Sequence, residues 1–448
     1  MEKASRGVGN WDEALRRCNE AVEIYRRLGD NEMVASGIYE TIDALLLMGQ
    51  YLTAAETAER ALAELKDDSG DSRADILAAL GLIYTVFGDY ARAKDVLSEA
   101  MSLGTRSSNP RLVASIHTNW SVFNGVFLEL ADDLSNSRKA LEWSECSNHP
   151  WMRAIALNEQ MMASHRVGRL EHAIRVSKEL EPLARKIGHG VFLVTSIWTK
   201  AWAEFAKTPD LARLEQQLTE SVELCRARVP MLAAQSLAQL SLAKFFGGQS
   251  SALDYAIDAG RVEVPGYLGG FVAGAIFRER AYAGDRAGAL EFLKDASTRF
   301  IPPRENQPST FGSWAFLVSA VEGLAILGER ERAAEFYPLT LRLLDTGMIT
   351  FSWVARFPQT IAGIAAAAGR QWERAGEHFR IALKQAEEMP DQLERADCRR
   401  FYGSMLLDRN AAGDADQARR LLTQALGDYS RIRMPLHIEL TKALLAKL

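Results

Sequence analysis

A six-residue spacing, Gly-x-x-x-x-Ala, returns so regularly along this chain of 448 residues that it dictates the class of fold. It stands at Gly9/Ala14, Gly49/Ala54, Gly88/Ala93, Gly168/Ala173, Gly247/Ala252, Gly284/Ala289, Gly328/Ala333 and Gly413/Ala418, and with one extra residue at Gly369/Ala375. Successive glycines are 40, 39, 80, 79, 37, 44, 41 and 44 residues apart. The two double intervals predict degenerate copies at "ADDLSNS" (131–137) and "TPDLARL" (208–214), where Asp and Pro punctuation replaces glycine. A unit of about 40 residues present about eleven times is the signature of a stacked array.

One unit shows the physics. In "ADILAALGLIYTVF" (74–87), Ile76, Ala79, Leu80, Ile83, Tyr84 and Phe87 recur at helical spacing and form one apolar stripe. Gly88 can take the left-handed conformation that ends a helix, and Asp89 suits the N-cap of the next. Beyond it Ala93, Val96, Leu97 and Ala100 make a second stripe, with Ala93 small enough for two helices to cross closely. Three residues before the repeat alanine stands a large side chain in Trp11, Tyr51, Tyr90, Leu170 and Trp372, a wedge between neighbours. Such a helical hairpin is apolar on more than one side and stays dry only when stacked. No alternating strand pattern of comparable strength competes with it.

The array has three irregular places. Residues 1–29 read as the second helix of a hairpin without its first, which predicts a C-terminal piece of something longer or a docked end. "FIPPRENQPSTFG" (300–312) is a polar, Pro-rich connection longer than its siblings, a candidate ordered loop or hinge. Residues 434–448 read as a single capping helix. All lie within one expected domain, 1–448.

The turn with its aromatic, Gly-x-[Trp/Tyr]-x-x-Ala, and the helix after it resemble the tetratricopeptide superfamily, in a version longer than the usual unit. "GRQWERAGEHFRIALKQAEEM" (369–389) and "YGSMLLDRNAAGDADQARRLLTQALGDYSRIRMPLHIELTKALL" (402–445) further resemble the terminal repeats of large bacterial signalling ATPases. Those include nucleotide-cyclase-linked ATPases and LuxR-type regulators related to the maltose-responsive activator. The resemblance implies an all-α, right-handed α-solenoid of about eleven hairpins. It also implies a regulatory array whose ATPase, cyclase or DNA-binding parts lie outside this chain, in the same polypeptide or a partner. No Gly-x-x-x-x-Gly-Lys-[Ser/Thr] loop is present: "GGQSS" (247–251) and "GYLGGFVAG" (266–274) lack the lysine.

Catalytic signatures are absent: no HExxH, GxSxG, EF-hand loop or dinucleotide fingerprint occurs. The seven histidines show no ligand spacing and read as caps or surface groups, so no metal and no cofactor is expected. The carboxylates read as solvated helix surface, often in i,i+4 pairs such as Glu13–Arg17. A net charge of −5 points to neither nucleic acid nor an acidic membrane. The C-terminal arginines, among them Arg399, Arg400 and Arg409, alternate with aspartates and read as solvated surface. Four widely spaced cysteines and no apolar leader or membrane-length run fit a cytoplasmic chain.

What remains is a binding surface. Trp120, Trp198, Trp202, Trp314 and Trp353 fall in or near first helices, which the resemblance places on the concave face. Trp198 and Trp202 share a helix face. With Asn119, Asn158, Gln160, Gln235 and Gln239 they would suit a groove reading a peptide or a sugar-like ligand. The blander assignment, large inter-repeat core residues, is the stronger for the tryptophans. Arg304, Asn306 and Arg356 form a second candidate patch. The leading expectation is a protein-interaction scaffold, followed by a small-ligand sensor that regulates an attached ATPase, with an enzyme a distant third.

Overall fold

The structure is a computed structural model that describes residues 11–65, 70–229, 232–263, 266–299, 303, 307–351 and 353–448. Among them every regular element is a helix, and the sole β contact is an isolated bridge between Phe351 and Arg356. Helices pair in sequence: Asn31–Leu47 with Tyr51–Glu64, Gly70–Phe87 with Tyr90–Gly104, Pro110–Val126 with Leu130–Ser147, Pro150–Arg166 with Leu170–Ile187, and Gly190–Lys207 with Leu211–Arg228. The same pairing continues to Gln392–Arg409 with Asp414–Ile432 and a last helix, Pro435–Leu445. The expected all-α array of tandem hairpins is what the chain forms.

The repeat spacing works as the residues predict. Ala14, Ala54, Ala93, Ala173, Ala289, Ala333, Ala375 and Ala418 are all fully buried, as close packing of paired helices requires. Gly88 takes φ +76°, and the Asp89 side chain then accepts from the Arg92 backbone N–H at 3.1 Å, capping the next helix. Two turns differ by one residue from the pattern: Gly248 and Arg370, not Gly247 and Gly369, carry the left-handed φ. Near the degenerate copy at 131 that role falls to Leu128, φ +60°, whose side chain is buried. Phe87, expected in the stripe, is 36% exposed at its hairpin's end and meets Tyr51 edge to face. The second helix after Gly328 breaks into Arg330–Glu335 and Tyr337–Asp345, because Pro338 cannot donate to the turn before it.

Of the irregular places, residues 1–10 lie outside the described residues, while Trp11–Leu28 packs on Asn31–Leu47. In the long connection, 300–302 and 304–306 are outside them too, and with them Arg304 and Asn306. Its end is ordered by Thr310, which caps the helix Phe311–Ile326.

Two non-helical segments reach across the array instead of joining neighbours by the shortest path. Residues 266–270 lie against hairpins far earlier in the chain: the Tyr267 N–H donates to the Val86 carbonyl at 2.7 Å. The Gly312 N–H in turn donates to the Tyr267 carbonyl at 2.9 Å, and a Cβ at Gly312 would stand 2.4 Å from the Gly269 carbonyl oxygen. Within "GYLGGFVAG" a Cβ at Gly266 would stand 3.1 Å from the Val86 carbonyl oxygen and one at Gly270 3.0 Å from that of Gly312, so these glycines too allow backbone to meet backbone. Residues 347–351 and 353–357 belong to the second segment, folded by the Phe351–Arg356 bridge, with the Ile349 N–H donating to the Arg166 carbonyl at 3.1 Å. One apolar core runs from Leu128 to Met434 and a second from Ala35 to Phe127, and Tyr267 packs against both.

Candidate functional site

First helices of successive hairpins are linked side by side through buried polar side chains spaced by about one unit. Asn119 Nδ2 donates to the Ala78 carbonyl at 2.9 Å, Thr195 Oγ1 to Asn158 Oδ1 at 2.6 Å, Trp202 Nε1 to Gln239 Oε1 at 2.8 Å, and the Tyr282 hydroxyl to Glu322 Oε1 at 2.6 Å. Buried polar groups need such partners, and here they also set the register of each hairpin on the next.

Against this wall lies a cavity of about 220 Å³. It is lined from five consecutive first helices: by Tyr39 and Asp43, by Leu82 and Val86, by Asn119 and Val122, by Asn158, Glu159 and Arg166, and by Thr195 and Trp198. The two returning segments close it with Tyr267 and Trp353. The Trp198 and Trp353 rings meet nearly edge to face, centroids 5.3 Å apart. Trp151 and His189 add a further aromatic corner, with His189 stacked on Phe192 and its Nδ1 accepting from the Phe192 N–H.

The ionisable groups of this wall are unequal. Glu159 is 7% exposed, and burial pushes its carboxyl up to about 7; Asn158 Nδ2 donates to its Oε1 at 2.8 Å. Arg166 is committed elsewhere, its Nη1 donating to the fully buried Asp133 at 2.7 Å. Burial raises the Asp133 carboxyl and the Arg166 charge pulls it back. Burial also raises the Tyr267 hydroxyl.

The residues singled out in the sequence divide accordingly. Asn119, Asn158, Trp198 and Trp353 come together at the cavity. Trp120 does not: its indole N–H donates to the Leu97 carbonyl at 3.2 Å and its ring packs on Phe123. Trp202 and Gln239 bond each other inside the core, and Gln235 is buried near them in the chain without lining the cavity. Trp314 is core, with the Arg342 guanidinium 6.0 Å from its ring, and Gln160 is half-buried.

Arg356 belongs to a buried ionic cluster rather than a surface patch. It is 1% exposed, donates to Glu322 at 2.8 and 2.6 Å and to Asp397 at 2.6 Å, and holds the Ala355 carbonyl at 2.7 Å. Burial alone would raise the Glu322 carboxyl, but the Arg356 and Arg278 charges bring it down to about 2. Arg278 anchors the same segment by donating to the Val354 carbonyl at 2.8 Å.

Two readings of surface chemistry are corrected. Arg400 is buried, bonding the Tyr429 and Tyr282 hydroxyls, and Asp397, Asp414 and Asp428 are buried as well, the last two paired with Arg409 and Arg399, so this stretch is not a solvated surface. His149 and His189 do cap helices, but His117, His165 and His437 are core residues, and burial lowers His165 and His437 to about 3.

No protein-family model matches the chain, and no curated relative does. Among the solved structures similar to this chain are two that cover nearly all of it. One is a Rap protein complexed with Competence and Sporulation Factor, at 9% identity and a TM-score of 0.43, covering 92% of this chain and 96% of that one. The other is yeast Tom70, at 13% identity and a TM-score of 0.37, covering 96% of each chain.

Sequence reasoning missed Glu159, Arg166, Tyr267 and Tyr39. For Glu159 a signal existed: "IALNEQMM" (155–162) puts an acid beside Asn158 amid residues that all belong to a buried first helix. Tyr267 had none, since its position depends on a backbone contact 181 residues away, at Val86. Among the described residues, no group of three or more His, Cys, Asp or Glu could hold a metal ion, and no helix is long and apolar enough to cross a membrane.

Proposed function

We propose that this chain is a non-catalytic helical-repeat receptor that binds a protein or peptide partner by taking one short segment of it into the concave cavity. The observation that carries this is the cavity's construction: five successive first helices and two returning segments contribute to one apolar, aromatic wall with a few polar atoms. That composition is what binding sites use, apolar area for affinity and sparse polar groups for orientation. A ligand there touches hairpins from 31–64 to 190–228 together with residues 266–270 and Trp353, so occupancy would be felt along the array.

A volume of about 220 Å³ is small for a whole peptide, below the roughly 300–1,000 Å³ of typical ligand pockets. This favours a second reading, a small effector that alters the array's curvature. In either case the chain serves as the regulatory array of a larger cytoplasmic signalling assembly, an inference supported by the likeness of 369–389 and 402–445 to the terminal repeats of bacterial signalling ATPases.

The test is a peptide-display selection and a metabolite thermal-shift screen on the intact chain, run beside Ile155→Trp, which fills the cavity from a half-buried lining position. Ligands recovered by the wild type and lost by the variant support the reading. Ligands that bind the variant equally well, or none from either collection, end it.

A further inference from the structure

Resting on that reading, we infer that the cavity selects a cation, an amine or guanidinium on a short apolar stem, and that Glu159 is the carboxylate that receives it. The argument begins with what the wall offers to a ligand. Among the described residues Glu159 Oε1 accepts a neutral amide N–H from Asn158, and no cation pairs with its carboxylate. Asn158 is itself used at both ends, by Glu159 and by Thr195, so it orients the carboxylate and has little left for a ligand. Asn119 spends its amide N–H on the Ala78 carbonyl, which leaves the acceptor end. A buried carboxylate bonded only to a neutral amide is an acceptor that calls for a charged N–H group.

The charges facing Glu159 agree. From the helix Asn31–Leu47 comes Asp43, and from Leu130–Ser147 comes Asp133 behind the wall. From its own helix comes Arg166, bound to Asp133. From the next helix start comes His189, whose Nδ1 is occupied as a cap, and from the returning segment comes the Tyr267 hydroxyl. Arg166 is thus committed to Asp133, and Arg111, 5.8 Å from the Tyr39 ring, is committed to Asp75. Tyr51 and Tyr267 line the same cavity, and aromatic rings attract a desolvated cation. The indole N–H groups of Trp198 and Trp353 are buried without acceptors. Because burial holds Glu159 near half-ionisation at neutral pH, cation binding would expel its proton.

The experiment is calorimetric titration of the intact protein with acetyl-Leu-Arg-Leu-amide, its citrulline twin, which is neutral and nearly isosteric, and agmatine. At pH 8 the arginine peptide or agmatine should bind at least about tenfold more tightly than the citrulline peptide, and Glu159→Gln should abolish that preference. Affinity should fall about tenfold between pH 8 and pH 6, with proton release on binding. Agmatine binding alone supports the inference with a free small cation as the source; binding of the arginine peptide supports it with a chain segment as the source. Equal binding of the citrulline twin overturns it while leaving the cavity reading intact, provided Ile155→Trp still abolishes binding. Failure of both cationic probes to bind overturns it as well. If Glu159→Gln melts below the assay temperature, titrations of the wild type in two buffers of different ionisation enthalpy decide: no proton released between pH 6 and 7 sinks the proposal.

Discussion

Glu279 shows how one hydrogen atom can settle a protonation state. The Ser241 hydroxyl has a single proton, and it lies within bonding distance of both the Ala252 carbonyl, at 2.8 Å, and Glu279 Oε1. If that proton goes to the carbonyl, which cannot donate in return, the serine–glutamate bond needs a proton from the carboxyl. A neutral Glu279 completes both bonds, and burial pushes its carboxyl up to about 7. The folded value stands above the unfolded value near 4.5, so the associated stability is fully present below 4.5 and is lost as pH rises through 7. Glu279→Gln keeps a donor for Ser241 and removes the titration. At pH 8 the variant should be more stable than the wild type by about 3 kcal/mol, and near pH 4 the two should differ little. Urea unfolding at the two pH values checks this; a pH-independent difference would show that the carboxyl titrates normally. Arg356 makes the opposite case at the same scale: a permanent cation drives Glu322 down to about 2, so that pair is ionised across the whole neutral range.

Most of what was legible in the sequence lies at the scale of the element. The Gly-to-Ala spacing locates hairpin turns and crossing points because both requirements are local: a left-handed turn and a missing side chain where helices touch. Where the pattern slipped, at Gly248, Arg370 and Leu128, neighbouring residues accept the same φ once packing sets the turn, so spacing alone cannot choose between them. The residues that line the cavity were harder. Asn119, Asn158, Trp198 and Trp353, singled out because amides and indoles on apolar helices stand out, do line the cavity, but the same feature drew in Trp202, Gln235 and Gln239, whose partners are one another or the core. A periodic sequence tells which side of a helix is apolar and not which apolar side faces space. The crossing rule itself can be tested. Ala93 is fully buried and Ala91, two residues earlier on the same helix, is exposed. Ala93→Leu should destabilise by about 1–3 kcal/mol through overpacking, whereas Ala91→Leu should stay within about 0.5 kcal/mol of the wild type. Equal effects at both sites in thermal unfolding would mean that the repeat alanine is not a crossing point.

Across the whole molecule, nearest-neighbour stacking is not the full account. A simple solenoid joins each unit only to its neighbours, so its stability is a sum of local terms and its ends can unravel alone. Here residues distant in sequence are tied: Tyr267 to Val86, Ile349 to Arg166, Trp353 to Trp198, and Gln392 Nε2 to the Lys207 carbonyl at 2.6 Å, 185 residues away. No periodicity could announce these ties, since each depends on how far the accumulated curvature brings one part of the array back toward another. Trp353 is the apolar centre of one of them, 6% exposed and in ring contact with Trp198, Phe271 and Phe311. Removing its side chain should therefore act on the closure more than on any hairpin. In Trp353→Ala, hydrogen exchange at the Ile349 and Tyr267 amides should quicken by about two orders of magnitude, the equivalent of about 3 kcal/mol. Amides of the helix Leu130–Ser147, the second helix of its hairpin, should keep rates near those of the wild type. Uniform acceleration over all helices would mean that the array opens only as one cooperative body, and unchanged rates at Ile349 and Tyr267 would mean that the returning segments are held by their backbone bonds without the tryptophan.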